Sequence, residues 1–239
     1  SWFRIASGTF AGRYVHGGYL KTVSTTDPRV SRTVNAPGTT IPHTRSQQVM
    51  VARYVSGTTG TWARWEWRKD HWYRVDQSTK TAFGAAGVRP AAERVAGDGT
   101  TPLGNFGLVH AFGGGAPSGM KMTYRKTTPC SYWIGDLSQS DYNRWREDCA
   151  IPSSVKAKSE SLYYYSNQTA QRQYGQAVVL DFNYAEQKSS GPGSGSAIFL
   201  HYSSSGQTLG CVALMNDAEL TRTLQWLDPA KNPQIAVTR

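Results

Sequence analysis

The stretch Gly195-Ser196-Ala197-Ile198-Phe199-Leu200-His201, followed downstream by Thr208-Leu209-Gly210-Cys211, sets the frame for the rest of the chain. A Gly/Ser loop, Ser189 to Ser196, gives way to an apolar run that predicts a strand over Ala197 to Tyr202 and delivers His201 at its end. After Cys211 a short run leads to Asn216, and Glu219 three positions on makes a capping-box-like helix start. Leu220, Leu224 and Leu227 give that helix one apolar face, and Asp228-Pro229 ends it.

Moving outward, further strands are predicted over Ala177 to Phe182, Phe106 to His110 and Met120 to Tyr124, with a short helix around Tyr142 to Glu147. Val49, Val51 and Tyr54-Val55 form a β-rich run stopped by Ser56-Gly57. Thr61 to Arg68 alternates Trp65 and Trp67 with charged residues, as a half-buried strand does, and His71 to Val75 reads as its hairpin partner. Residues 1–46 lack periodicity and carry turn signals at Asp27-Pro28, Ala36-Pro37-Gly38 and Ile41-Pro42. They are expected to form an extended N-terminal arm, with a short strand near Arg13 to Val23, and residues 47–239 a single domain. The fold class is mainly β with a few helices.

Composition agrees. The 239 residues include 24 Gly, 8 Trp and 13 Tyr, the profile of a turn-rich β protein rather than a helical bundle. A chain of this length can bury roughly 70–75% of its unfolded surface, so its core needs no metal. The formal charge of +10 points toward polyanions, including anionic wall polymers. The basic residues are scattered and form no nucleic-acid-binding signature, so no nucleic-acid partner is expected. No apolar stretch is long enough for a transmembrane segment. The chain opens at Ser1, which fits a trimmed, exported product.

Three cysteines leave one over. In an exported protein Cys130 and Cys149 could pair and leave Cys211 free and reactive; in a cytosolic one all three could be unpaired. No CxxC or HxxxH spacing supports a metal site, and no cofactor motif is present. A thiol at Cys211 needs a base, and His201 is near enough in sequence for a loop to bring it alongside. Gly210 permits close backbone approach. His110 could reach the same place from another strand. His16, His43 and His71 read as surface residues, and Trp62, Trp65, Trp67 and Trp72 as sheet packing. No Gly-x-Ser-x-Gly elbow supports a serine hydrolase built on Ser203, Ser204 or Ser205.

These residues resemble the signature of the L,D-transpeptidase catalytic-domain family, in which a strand-borne histidine precedes a Gly-Cys. Upstream, Gly97-Asp98-Gly99-Thr100-Thr101-Pro102-Leu103-Gly104-Asn105-Phe106 resembles the family's Gly-Asp-Gly-x-Thr-Pro-x-Gly-x-Phe segment. Trp133 to Asp136 with Tyr142-Asn143, Tyr174 to Asn183, and Leu224 to Pro229 resemble a secreted, actinobacterial-like branch, in the same order along the chain.

The resemblance implies a mixed β-sandwich and an enzyme acting on peptidoglycan stem peptides. Cys211 would attack a stem tetrapeptide, expel its terminal D-alanine, and pass the acyl group to a neighbouring stem's amine as a 3→3 cross-link. His201 would be the base, the carbonyl of Tyr202 its orienting partner, and the N–H groups of Gly210 and Cys211 the oxyanion hole. Trp133, Leu209 and His110 are candidates for the substrate wall, and Cys130–Cys149 for a disulfide closing the loop around Trp133. Two positions depart from the family: Leu209 stands where a histidine is common, and Ala213 where an arginine is. A carboxypeptidase, an amide ligase on the same scaffold and a non-catalytic wall-binding protein are the alternatives.

Overall fold

The computed structural model describes residues 2–4, 13–16, 28–76, 79–167, 172–184 and 192–239. The expected strand near Arg13 to Val23 lies partly outside these residues; within them, β1 (Trp2–Arg4) and β2 (Tyr14–His16) pair antiparallel. The rest of the chain runs through β3 (Val30–Ser31), β4 (Gln48–Ser56), β5 (Thr59–Arg68), β6 (His71–Arg74), β7 (Lys80–Ala82), β8 (Val88–Pro90), β9 (Thr101–Gly113) and β10 (Tyr124–Lys126). Then come β11 (Ser131–Trp133), β12 (Trp145–Glu147), α1 (Ser153–Lys156), β13 (Glu160–Ser161) and α2 (Leu162–Asn167). β14 (Gln176–Leu180), β15 (Phe199–Tyr202), β16 (Val212–Leu214), α3 (Asp217–Trp226) and β17 (Gln234–Thr238) complete it. The molecule is mainly β with a few helices, as its sequence predicts.

The ladders return on themselves. β5, β4, β17, β9, β14, β15, β16 and β7 pair in that order, and β7 pairs back onto β5. Each strand of this ring has two faces to cover. On β15, Ile198 (just before the strand) and Leu200 enter one core with Met50, Trp62, Phe83, Phe106, Leu180 and Val212, while Phe199 enters a second with Phe112, Trp133, Leu162, Tyr174 and Cys211. Burial on both sides explains why the sequence there is unbroken apolar instead of alternating. Phe199 is fully buried, and its truncation to alanine costs about 3–5 kcal/mol.

A third cluster covers the outer face of β4 and β5, with Val49, Val51, Trp65 and Trp72 against Ala36 and Ile41. β3 adds to the sheet beside β6, so residues 28–46 lie on this face. The β5–β6 hairpin turns through Lys69 and Asp70, both at positive φ (48° and 59°), a geometry whose backbone twist matches the strands it joins.

α3 begins as expected, with the Asn216 side chain accepting from Glu219 N–H at 3.1 Å. Glu219 does not complete the capping box. Its carboxylate is fully buried and accepts from Arg64 Nε at 2.9 Å, tying the helix to β5. Removing one member of such a buried pair leaves the other charge unmatched, at about 3–5 kcal/mol.

Two expectations are corrected. Met120 to Thr123 are not strand; the strand begins at Tyr124, because Pro117 to Met120 make a turn and Met122 buries into the main core. Tyr142 to Glu147 are not helical. Asn143 sits at φ 58°, which breaks a helix, and Trp145–Glu147 pairs with β11 as a strand. Together β12, β11 and β13 form a separate three-stranded sheet, and a Cys130–Cys149 disulfide closes the chain around β11 and β12.

Candidate active site

β15 and β16 are parallel neighbours, with Leu200 opposite Val212 and His201 opposite Ala213. Cys211, one residue ahead of β16, therefore falls beside Phe199. Residues paired across a sheet share a face, so Cys211 and His201 project to the same side, two positions apart along the strands, roughly 7 Å. Both open onto a cavity of about 320 Å³ lined also by Glu160, Tyr165, Tyr174, Ser205, Gln207 and Leu209. The sequence interval that made this pair plausible becomes a β-crossover between adjacent strands.

His201 Nδ1 hydrogen-bonds the Tyr202 carbonyl at 2.6 Å. A carbonyl can only accept, so Nδ1 carries the proton and Nε2 keeps a free lone pair. Burial lowers the imidazole pKa to about 4 even though the carbonyl bond opposes the shift. At neutral pH the ring is a neutral base. Tyr174 meets it edge-on, with centroids 5.3 Å apart.

The Cys211 thiol is buried and free. Its Sγ donates to the Ala197 carbonyl at 3.3 Å and accepts from Phe199 N–H at 3.4 Å. Burial raises its pKa to about 12, and the charge of Glu160 pushes the same way; Phe199 N–H, Arg94 and Tyr174 pull it down. No hydrogen bond joins Sγ to the imidazole among the described residues. The resting pair is thus neutral thiol beside neutral imidazole, not a standing thiolate–imidazolium ion pair.

The loop carrying Cys211 is held from behind. Thr208 Oγ1 and Thr101 Oγ1 both donate to the Cys211 carbonyl, at 2.8 and 3.0 Å. Gly210 N–H donates to Thr208 Oγ1 at 3.1 Å, whereas Cys211 N–H has no acceptor among the described residues. Gly210 lies at φ 143°, and a Cβ there would sit 3.0 Å from Arg94 Nη2 and 3.1 Å from the Thr100 carbonyl. Only glycine fits.

Thr101 and Thr100 belong to the Gly97–Phe106 segment, so that motif has a mechanical role. Asp98 accepts from Thr100 N–H and hydroxyl at 2.9 and 2.7 Å and from Val95 N–H at 3.1 Å. Burial works against ionisation, but these donors and Arg94 bring its pKa down to about 2. Asp98 in turn pairs with Arg94, 3.5 Å away, whose guanidinium is buried behind Gly195 and Gly210 and lies over the Phe182 ring. Arg94 Nη1 is buried without a hydrogen-bond partner among the described residues.

The proposed wall residues separate. Leu209 is 88% exposed at the mouth of the cavity. Trp133 does not line it; the ring is 1% exposed in the core behind Cys211 and donates from Nε1 to Asn143 Oδ1 at 2.8 Å. His110 is also buried away from the cavity, among Phe112, Trp133 and Trp145. Burial, with Arg125 nearby, lowers its pKa to about 4. Aromatic packing takes both residues out of substrate reach. Asn143 also accepts from Ala197 N–H at 3.0 Å and donates to the Phe182 and Asn183 carbonyls, so it fixes the stapled sheet to the entrance of β15.

Glu160, Arg94 and Thr208 had no assigned role in the sequence reading. Thr208 and Thr101 lie inside motifs and could have been found there; Glu160 carries no local signal. Among the described residues there is no cluster of His, Cys, Asp and Glu able to hold a metal, and no helix is long and apolar enough to cross a membrane.

A family model for the L,D-transpeptidase catalytic domain (YkuD) matches residues 52–235. The chain belongs to this family. The match spans the ring from β4 to β17 and includes Cys211 and His201. No curated protein and no solved structure matches the chain significantly. The family's members are cysteine-dependent acyltransferases that act on peptidoglycan stem peptides.

Proposed function

We propose that this protein forms 3→3 peptidoglycan cross-links through a Cys211 thioester, with residues 47–239 as the catalytic domain and residues 1–46 as an arm. The observation that carries the reading is the shared cavity: Cys211 and His201 open onto it together, and the Tyr202 carbonyl fixes the imidazole with Nε2 unprotonated.

In the first half-reaction Sγ attacks the carbonyl at the L-centre of the donor's diamino residue, and the thiol proton passes to His201 Nε2. The carbonyl oxygen becomes an oxyanion against Cys211 N–H, with Gly210 N–H joining if it turns from Thr208. Collapse expels D-alanine, whose amine takes the proton from His201. The neighbouring amine then attacks the thioester, loses a proton through His201, and expels Cys211 as thiol. Because the resting thiol is neutral, proton transfer accompanies attack instead of preceding it. An exported location fits the disulfide, and the charge of +10 suits anionic wall polymers.

The test is mass spectrometry of the protein with a tetrapeptide stem, beside Cys211→Ala. Loss of alanine with a stem dimer, both absent from the variant, supports cross-linking. Alanine loss without dimer favours the carboxypeptidase. No change at all, with a thiol that also resists alkylation, sinks the enzyme reading in favour of wall binding.

A further inference from the structure

The cavity beside Cys211 holds a carboxylate that thioester formation does not use. Glu160 is the only acid among its described lining residues, and no Lys or Arg lines it. In a chain of net charge +10 this is a local reversal of sign. Glu160 Oε2 accepts from the Tyr174 hydroxyl at 2.7 Å, and none of the described ion pairs engages it. Burial raises the pKa of the Cys211 thiol, the Tyr174 phenol and the Tyr165 phenol, and the charge of Glu160 pushes each the same way. Burial raises the carboxyl itself to about 7, while the Tyr174 bond opposes the shift. A carboxylate kept in a cavity without a cation is costly unless a ligand supplies one.

Its placement is built. Glu160 opens β13, paired with Trp133 of β11, whose hairpin with β12 is closed by Cys130–Cys149. Tyr174 bridges from Glu160 toward the thiol and packs edge-on against His201. An ammonium seated on Glu160 would stand where the second nucleophile of the reaction has to arrive.

We propose that Glu160 seats the primary ammonium of the acceptor stem's diamino side chain and accepts its first proton. The inference rests on the transpeptidase reading and names the group that receives the second substrate. The step balances: R–NH3+ gives one proton to the Glu160 carboxylate, and the freed amine forms a C–N bond to the thioester carbon. The C–S bond breaks, the second proton passes through His201 to the departing sulfur, and Glu160 later releases its proton to solvent. The net change is thioester plus ammonium to amide, thiol and one proton.

Binding to the Cys211→Ala protein tests this without requiring turnover. Calorimetry would compare a stem tripeptide bearing a free side-chain amine with the same peptide acetylated on that amine, and repeat both with Cys211→Ala/Glu160→Gln. We expect acetylation to weaken binding about tenfold or more in the first protein and to make little difference in the second. Equal affinities for the two peptides, or no measurable binding of the free amine, overturn the proposal. Because the acetylated arm uses the unaltered Glu160, a folding defect in the variant cannot rescue or sink it.

A second arm separates acceptor from donor. With Cys211 intact, Glu160→Gln should shift the partition of the formed thioester from amine toward water about tenfold, whatever the loss of its charge beside the thiol does to thioester formation. Slower thioester formation with unchanged partition between amine and water would place the donor's amine on Glu160 and overturn the acceptor assignment. Failure of the parent to form any thioester would overturn the transpeptidase reading itself, and the calorimetry would still report on the ammonium seat.

Discussion

The cavity has two walls made on different principles. One is the β15–β16 edge of the ring, where Cys211 and His201 sit on adjacent parallel strands and every neighbouring strand is paired on both sides. The other is the small β12–β11–β13 sheet, where Glu160 lies on a two-residue strand paired with β11, and the β11–β12 hairpin is tied by a disulfide and by the Asn143 contacts. The first wall gets its accuracy from a continuous hydrogen-bonded frame and two cores. The second gets it from a covalent tie and a few buried polar bonds. The proposed reaction chemistry sits on the first, and the proposed choice of acceptor on the second.

The sharpest way to separate the walls is to disable one. His201→Ala should cut thioester formation by roughly 10²–10⁴-fold, the usual contribution of a general base, far beyond any loss of folded protein. Rapid-quench mass spectrometry of the acyl-enzyme checks it; a loss matched by unfolding would mean that the histidine is structural.

Cys130→Ser/Cys149→Ser acts on the other wall. Opening a loop of this size removes about 3 kcal/mol of restraint on the unfolded chain. Denaturant midpoints should fall accordingly, and aminolysis should suffer more than thioester formation. An equal loss in both half-reactions would erase the distinction between the walls.

Gly210→Ala probes the seam. The residue's φ and the 3.0 Å approach to Arg94 predict strain of about 1–3 kcal/mol and a displaced Cys211. Urea unfolding with alkylation rates of Cys211 reads both.

The pH dependence of stability has opposite signs on the two walls. Glu160 has a folded pKa raised to about 7 from 4.5, so the folded state holds its proton more tightly and stability falls as pH rises through 7. Glu160→Gln should therefore gain on the parent at pH 9 and converge with it below about pH 4.5. His201 and His110, both lowered to about 4, act the other way: stability is lost as pH falls from about 6.5 toward 4. Unfolding curves at pH 5 and pH 9 distinguish the two. The smallest effect is expected at Leu209, whose replacement by serine should change stability by about 0.5 kcal/mol or less and alter only the donor KM.

The walls also differ in how far they could be read from the chain. Cys211 and His201 lie close in sequence, at the ends of a strand and its crossover, so a local pattern was enough to pair them. The capped α3 helix and the Thr61–Arg68 hairpin were legible for the same reason: their signals span a few residues. The second wall depends on pairing between segments that look polar and irregular. Tyr142 to Glu147 resembled a helix because nothing local announces the left-handed turn at Asn143. Trp133 looked available to substrate until the aromatic core around Phe112 and Phe199 closed over it. Glu160 becomes a cavity residue only once β13 docks on β11. α1 and α2, of four and six residues, are too short to show a period.

The β7–β5 closure bears on all of this as a matter of counting. In an open sheet a strand can slide by a residue if its outer neighbour is solvent. In this ring a slip of β16 would have to propagate through β7, β5 and β4 and come back through β15. The offset between sulfur and imidazole is thus a whole number set by the loop of strands, and thermal motion can shake it but cannot change it.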